Sequence, residues 1–205
     1  AKQRDSASVR LVMMTPTTRA GDAPSTSKLM QTVTIRTIWV RRSPLDRSRG
    51  RLLVGSLTIP CALGRNGVTR VKREGDGASP SARLRIRGAF WRADRHARPA
   101  TRLVMKRIRP TDGWCDAPRD RCYNRPVRLP YPSSAEAMWR DDNLYDFVID
   151  LHWNRGPIRP GRGSAIFLHV ARPGLQPTEG CIAVQAKDVR RLLSRIGVRT
   201  VFVIG

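Results

Sequence analysis

The stretch "HVARPGLQPTEGCIAV", residues 169–184, holds a histidine and a cysteine at the two ends of a segment rich in proline and glycine. His169 lies near the end of the apolar run "SAIFLHV", which predicts a strand, and Cys181 opens a second apolar run. Pro173, Gly174 and Pro177 predict a loop between the two runs. If that loop folds back, the two ends of the segment meet at one edge of a sheet.

Two interpretations of this pair remain open on the residues alone. A cysteine attacks a carbonyl as its thiolate, so a nucleophilic Cys181 needs a nearby base, and His169 can supply it. Gly180 permits a tight turn and lets an acyl group approach the backbone N–H groups beside the sulfur. Alternatively, Cys181 is a small buried residue at a strand start, and His169 is satisfied by a carbonyl.

The same stretch resembles the catalytic signature of the L,D-transpeptidases, the YkuD-type domain. That signature is a His, a variable loop, Ser or Thr, any residue, Gly and Cys, and it is matched by His169, Thr178, Gly180 and Cys181. The likeness continues through "CALGRNGVTRVKREGDGASP" and "WCDAPRDRCYNRPV", and it covers roughly residues 33–205. Val170 departs from the commoner Gly after the His, and Ala183 departs from the commoner Arg or Asn.

The resemblance implies a two-step acyl transfer on peptidoglycan stem peptides that needs no metal or organic cofactor. Cys181 attacks the carbonyl between the third stem residue, usually a diamino acid, and the following D-alanine, while His169 takes the thiol proton. The carbonyl of Val170 orients the ring, and the N–H groups of Gly180 and Cys181 stabilise the oxyanion. The thioester then passes to an amine, which makes a crosslink, or to water.

Several further side chains are expected to bind this substrate. Because Ala183 cannot hold a carboxylate, another arginine has to do so, and Arg172 lies in the loop. His152 has two interpretations, a cleft residue or a solvent-exposed strand end. The expected substrate-binding residues are Thr178, Val170, Arg172, Trp153 and Asn154.

Outside the quoted stretch, the apolar pattern predicts a mainly β fold. Alternation in "VTIRTIWVRR", "ARLRIRGAFWR" and similar runs predicts six or seven strands, and "AKDVRRLLSRIG" predicts one helix that ends at Gly197. Many turn formers predict a long irregular loop over residues 112–132. The resemblance makes this fold a YkuD-type β-sandwich or barrel with a C-terminal helix and long loops. Residues 1–30 predict a flexible basic arm, and residues 31–205 the catalytic domain.

The 205-residue chain has a net charge of +23, which favours a polyanionic partner. One alternative function is therefore a non-enzymatic, basic β domain that binds nucleic acid or the cell wall. No zinc-finger spacing, aromatic ribonucleoprotein signature or helix-turn-helix pattern supports it. The resemblance instead implies stem peptides and an anionic cell-wall polymer as partners, no nucleic acid, and a place outside the cytoplasm. No apolar run reaches the roughly 18 residues of a membrane span.

The four cysteines include no CxxC pair, which argues against a structural zinc site. Cys115 and Cys122 flank the turn-like "DAPRDR". They form a small disulfide loop in an oxidising compartment, or they are two free thiols. The residues leave these two alternatives open.

Overall fold

A computed structural model describes residues 35–205, in which apolar and polar side chains alternate along the outer strands. In the first strand Ile38 and Val40 are fully buried, while Trp39 between them is 39% exposed. The alternation arises because successive side chains of a strand point to opposite faces. The predicted basic arm, residues 1–30, and the predicted strand start at Val33 lie outside the described residues.

The described part of the chain contains more strands than predicted, because many have only two to four residues. They are β1 (Thr37–Arg42), β2 (Arg49–Val54), β3 (Leu57–Ala62), β4 (Val68–Thr69), β5 (Ser79–Pro80), β6 (Ala82–Arg85), β7 (Gly88–Trp91), β8 (Met105–Arg107), β9 (Asp112–Cys115), β10 (Arg125–Arg128), β11 (Ala135–Ala137), β12 (Phe147–Asp150), β13 (Phe167–Val170), β14 (Ile182–Val184) and β15 (Val201–Ile204). Helix α1 (Ala186–Leu193) lies between β14 and β15.

Ten strands form one curled, mixed sheet in the order β6-β15-β1-β2-β3-β14-β13-β12-β7-β8. Its central strands β12, β13 and β14 are buried along their whole length, so both of their faces are covered. One face carries the main apolar core, which includes Ile149, Leu168 and Ile182. This architecture confirms the predicted mainly β fold with a helix near the C-terminus.

Helix α1 closes the main core by packing on β12 and β13. The predicted apolar face is buried: Val189, Leu192, Leu193 and Ile196. The helix ends at Leu193, before the predicted stop at Gly197. The last turn tightens there, because the N–H of Arg195 donates to the carbonyl of Leu192, three residues earlier, at 2.8 Å.

The predicted irregular loop over residues 112–132 is wrong for two segments, because residues 112–115 and 125–128 form strands of a second sheet, while the residues between and after them are turns and bends. Strands β10, β9 and β11 pair in that order, and we call them the small sheet. Its strands have only three or four residues, too few for an alternation to stand out. Pro126 reads as a strand breaker, but it lies in β10, an edge strand, where a missing N–H is tolerated.

The small sheet covers the other face of β12 and β13. Trp114 from β9 meets Phe167 from β13 edge to face, with ring centroids 5.1 Å apart. Asn124, fully buried after β9, accepts hydrogen bonds from Trp114 Nε1 at 3.2 Å and from the N–H of Ala165 at 3.0 Å. The small sheet is thereby fixed to the segment that leads into β13.

Candidate active site

Strand register places His169 and Cys181 on the same face of the large sheet. Strands β13 and β14 run parallel, with His169 beside Ala183 and Leu168 beside Ile182. Alternation therefore turns His169, Ala183 and Cys181 away from the main core and towards the small sheet. Because Ala183 is small, the position beside the imidazole leaves space for a ligand.

The side chains of His169 and Cys181 line a cavity of about 380 Å³ between the large and the small sheet. Thr178 and Arg172 also line it, the first buried and the second exposed at the rim. The remaining polar or charged side chains of the wall are Lys72, Glu74, Asp116, Glu136, Arg140, Tyr145, Ser164, Gln176 and Glu179. The cavity therefore combines a thiol, an imidazole and charges of both signs.

A backbone carbonyl fixes the orientation of the imidazole. Nδ1 of His169 lies 2.8 Å from the carbonyl oxygen of Val170, and a carbonyl only accepts hydrogen bonds. Nδ1 therefore carries the proton, and Nε2 is the basic nitrogen. The ring of Tyr145 stands edge-on to the imidazole at 5.2 Å and restricts its rotation further.

Burial keeps His169 neutral. Desolvation lowers the pKa of its imidazole to about 4, and the positive charges of Arg140 and Arg172 act in the same direction, against the raising effect of the hydrogen bond to Val170. At neutral pH the imidazole is therefore neutral, and its Nε2 can accept a proton.

The Cys181 thiol is held by main-chain groups from the segment that leads into β13. Its sulfur donates to the carbonyl of Ala165 at 3.5 Å and accepts from the N–H of Phe167 at 3.4 Å. Desolvation raises the pKa of the thiol to about 12, with a further increase from the negative charge of Glu136. The resting pair is thus a neutral thiol and a neutral imidazole, and ionisation requires the thiol proton to leave Ala165.

Thr178 and Gly180 shape the turn that presents the sulfur. The Thr178 hydroxyl donates to the carbonyl of Cys181 at 2.6 Å and accepts from the N–H of Gly180 at 3.1 Å. Its backbone is joined to Leu63 and Arg65, so the loop is fastened to the end of β3. Thr178 therefore acts within the turn, and it occupies one of the two N–H groups expected to face the oxyanion.

A glycine is required at position 180. Its φ of +133° suits glycine, and a Cβ there would lie 2.8 Å from the carbonyl oxygen of Ala78. We expect Gly180→Ala to lower the free energy of unfolding by roughly 3 kcal/mol and to displace the sulfur. Gly174→Ala is the matched control in the same loop, because its φ is +69° but an added Cβ meets nothing within 4 Å. It should cost only about 1 kcal/mol in a denaturant titration, and equal losses would contradict the steric argument.

Sequence reasoning missed the Glu136–Tyr145 pair. The Tyr145 hydroxyl donates to Glu136 Oε1 at 2.6 Å, and Arg140 lies 4.0 Å from the same carboxylate. Burial raises the pKa of both Glu136 and Tyr145. Neither belongs to a local motif: they come together only because β11 folds over the segment before β12.

Lys72 is a second residue that the sequence did not single out. Its ammonium is buried beside Gly180: a Cβ built on that glycine would lie 3.6 Å from Nζ. Asp76 holds it at 2.5 Å, and the carbonyl of Arg73 accepts from it at 2.9 Å. Its charge lowers the pKa of Cys181, although burial and Glu136 dominate the net shift.

The structure brings Arg172 to the cavity and the carbonyl of Val170 to His169. The Val170 side chain packs in the main core, and Trp153 and Asn154 lie outside the cavity. Trp153 Nε1 donates to the carbonyl of Arg162 at 2.9 Å, and the Asn154 amide bonds Arg159 and Gly163. Their side chains thus fasten the loop after β12. The sequence alone does not show whether this loop lines the cavity. The side-chain amide of Asn124 donates to the carbonyls of both residues.

His152 and the tryptophans also lie outside this cavity. The His152 side chain is half-buried near Asp150, where desolvation lowers its pKa. Trp91 and Trp114 are buried, as expected for packing residues, and Trp139 lies under the guanidinium of Arg92 at 3.5 Å.

All four cysteines have free thiols. Cys115 is buried in β9, whereas Cys122 lies in a turn where its N–H donates to Asp120 at 2.7 Å. Cys115 and Cys122 are therefore two free thiols in this structure. They form no disulfide that would support a place outside the cytoplasm. Residues 35–205 contain no group of three or more His, Cys, Asp or Glu side chains arranged for a metal ion. In the same range, no helix combines the length and apolar character of a membrane span.

Comparison with protein families agrees with this fold. Residues 45–204 match the L,D-transpeptidase catalytic domain of the YkuD type. The searches of curated proteins and of solved structures gave no match. The matched range includes His169, Cys181, the small sheet and most of the large sheet. Because the family match spans well over half of the sequence, the chain belongs to the family of L,D-transpeptidase catalytic domains.

Proposed function

We propose that this protein is an L,D-transpeptidase that crosslinks peptidoglycan stem peptides through a thioester on Cys181. The observation that carries the proposal is the hydrogen bond from His169 Nδ1 to the carbonyl of Val170. It leaves Nε2 as a neutral base in the cavity that also holds the thiol. A cysteine and a correctly oriented histidine in one cleft are what nucleophilic acyl transfer requires.

In the acylation step, the Cys181 sulfur attacks the carbonyl carbon between the third stem residue and the following D-alanine. The thiol proton passes to His169 Nε2 as the C–S bond forms. The C–N bond then breaks, and His169 returns the proton to the departing amine of D-alanine. The oxyanion forms beside the Gly180–Cys181 step, where it competes with the Thr178 hydroxyl for the N–H of Gly180.

In the second step, an amine of another stem attacks the thioester carbonyl. It gives a proton to His169, the C–S bond breaks, and the proton returns to the sulfur. Water as the acceptor gives L,D-carboxypeptidase activity by the same sequence. These steps use only side chains and backbone groups of this chain. The substrate lies in the cell wall, so the proposal places the protein outside the cytoplasm, where its net charge of +23 favours an anionic wall polymer.

Intact-mass spectrometry tests the proposal. We expect a stem tetrapeptide to leave a tripeptidyl adduct on the protein with release of D-alanine, and a carbapenem to leave a stable adduct. Peptide mapping should place both adducts on Cys181. The thiolate attacks the carbonyl of the strained carbapenem ring in the same way that it attacks a peptide carbonyl. An active relative serves as the positive control. If the relative is modified and this protein is not, the proposed function is wrong.

A further inference from the structure

The small sheet aims two carboxylates into the cavity of Cys181. In the antiparallel pair of β9 and β11, Glu136 lies opposite Trp114, and the N–H of Asp116 donates to the carbonyl of Ser134 at 3.3 Å. Side chains opposite each other, or two residues apart along a strand, share one face. Asp116 and Glu136 therefore lie diagonally on the face that carries Trp114, and both line the cavity. Diagonal pairs of this kind are about 7–8 Å apart, which leaves room for a small group between them.

Asp116 has an unsatisfied oxygen in this position. Its Oδ1 is buried and has no hydrogen-bond partner in the structure of residues 35–205. A buried acceptor without a partner costs about 1–3 kcal/mol, and more when it is charged, so native proteins rarely keep one without a use. A carboxylate oxygen only accepts hydrogen bonds, so its missing partner is a donor.

The surroundings of Glu136 indicate that this donor is a cation. Burial raises the pKa of Glu136, and the negative charge of Asp116 adds to this increase, against the opposing effects of the Tyr145 hydroxyl and Arg140. Glu74 also lines the cavity, where it accepts from the hydroxyls of Tyr123 and Ser164. A cation between Asp116 and Glu136 offsets their mutual repulsion. An ammonium group carries three N–H donors and suits two carboxylates, whereas the described residues offer no three-ligand set for a metal.

We propose that Asp116 and Glu136 form a subsite that binds a primary ammonium group of the donor peptide beside Cys181. The identity of the donor rests on the proposed function: in a stem peptide the group is the side-chain amine of the diamino acid at the third position, next to the carbonyl that is attacked. The subsite then fixes the residue whose carbonyl must meet the sulfur.

The same subsite links substrate binding to activation of the thiol. In the empty site, the negative charge of Glu136 opposes ionisation of Cys181. A bound ammonium cancels this charge, so a cationic donor both binds better and forms the thiolate more readily. A neutral donor of the same shape gains neither effect.

Matched peptides test the subsite. Two tetrapeptides, each acetylated at its N-terminus, carry at the third position either lysine or lysine acetylated on its side chain. We expect wild-type protein to be acylated at least ~10-fold faster by the cationic peptide, and Asp116→Asn and Glu136→Gln to lose most of this preference. Asp141→Asn is the control, because it removes the same charge from a fully exposed side chain outside the cavity. It should keep the wild-type preference, and thermal unfolding verifies that all three variants fold.

A second measurement does not depend on peptide chemistry. Aminoethyl methanethiosulfonate is cationic and ethyl methanethiosulfonate is neutral. With both reagents, a thiolate attacks the alkylthio sulfur, a disulfide bond forms, and the bond to the sulfonyl sulfur breaks with release of methanesulfinate. Their rates at Cys181 are followed by peptide mapping and divided by their rates with glutathione. We expect the cationic reagent to be favoured at wild-type Cys181, and this preference to fall in Asp116→Asn.

The two measurements separate the subsite from the proposed function. Acylation by both peptides at equal rates overturns the subsite and leaves the transpeptidase proposal standing. A cationic reagent preference that depends on Asp116, without acylation by any peptide, supports the subsite and overturns the transpeptidase proposal. Failure of both measurements overturns both.

Discussion

Replacing Cys181 with alanine is expected to slow acyl transfer by at least ~10³-fold, because the reaction loses the only atom that forms the covalent intermediate. Release of D-alanine from a stem tetrapeptide measures this loss. The alanine variant also removes the acceptor for the N–H of Phe167, which lies in a fully buried strand. We therefore expect a modest loss of stability, about 1 kcal/mol, beside the loss of activity.

Cys181→Ser separates the two effects. A serine hydroxyl still accepts the hydrogen bond from the N–H of Phe167, so stability should stay near the wild-type value. The hydroxyl has a far higher pKa than a thiol, which makes it a poor nucleophile beside a neutral imidazole. Cys122→Ala is the control for a half-buried thiol outside the cavity, and it should leave turnover unchanged. Turnover above a few per cent of wild type in both Cys181 variants would show that the nucleophile lies elsewhere.

The part of the site that sequence reasoning reached is the part encoded locally. His169 and Cys181 lie within one short stretch, and the alternation of β13 and β14 determines which way their side chains point. Gly180 was recognisable because a glycine directly before a cysteine indicates a special backbone conformation, and the φ of +133° agrees. Such inferences need only neighbouring residues.

The parts that sequence reasoning missed depend on contacts between distant segments. Asp116 and Glu136 meet because β9 pairs with β11, and both strands are too short for a periodic pattern. Lys72 lies in a polar loop that carries no strand or helix signal, yet its ammonium is buried beside Gly180. Trp153 appeared suited to a cleft by residue type alone, but its indole bonds its own loop.

Overall charge gives the wrong impression of the site itself. A chain with a net charge of +23 suggests a polyanion as its ligand. Inside the cavity, however, Glu74, Asp116 and Glu136 contribute negative charge. The subsite proposal assigns these opposite charges to different tasks: arginines at the surface attract an anionic polymer, and the carboxylates within select a cationic group.

The second large effect is expected at the base. His169→Gln should slow acylation by ~10²–10⁴-fold, because the amide cannot take the thiol proton. The pH profile of wild type is more specific. With a pKa near 4, His169 stays neutral down to about pH 5, so single-turnover acylation should lose rate around pH 4 and not around pH 6.5. A loss centred at pH 6.5 would contradict a buried, neutral imidazole.

The same histidine should make stability depend on pH. Its pKa is lower in the folded protein, about 4, than the ordinary 6.5, so the unfolded chain binds more protons between these values. Stability is therefore complete above pH 6.5 and falls as the pH drops towards 4, by roughly 3 kcal/mol for this group. His169→Gln removes this contribution. In urea titrations at pH 7 and pH 4, wild type should lose more stability than the variant, whose remaining pH dependence reports the other titrating groups. Equal losses of stability in the two proteins would mean that the imidazole is solvated. The hydrogen bond to Val170 and the burial of the ring together make His169 a neutral base, and a solvated imidazole could not be that base.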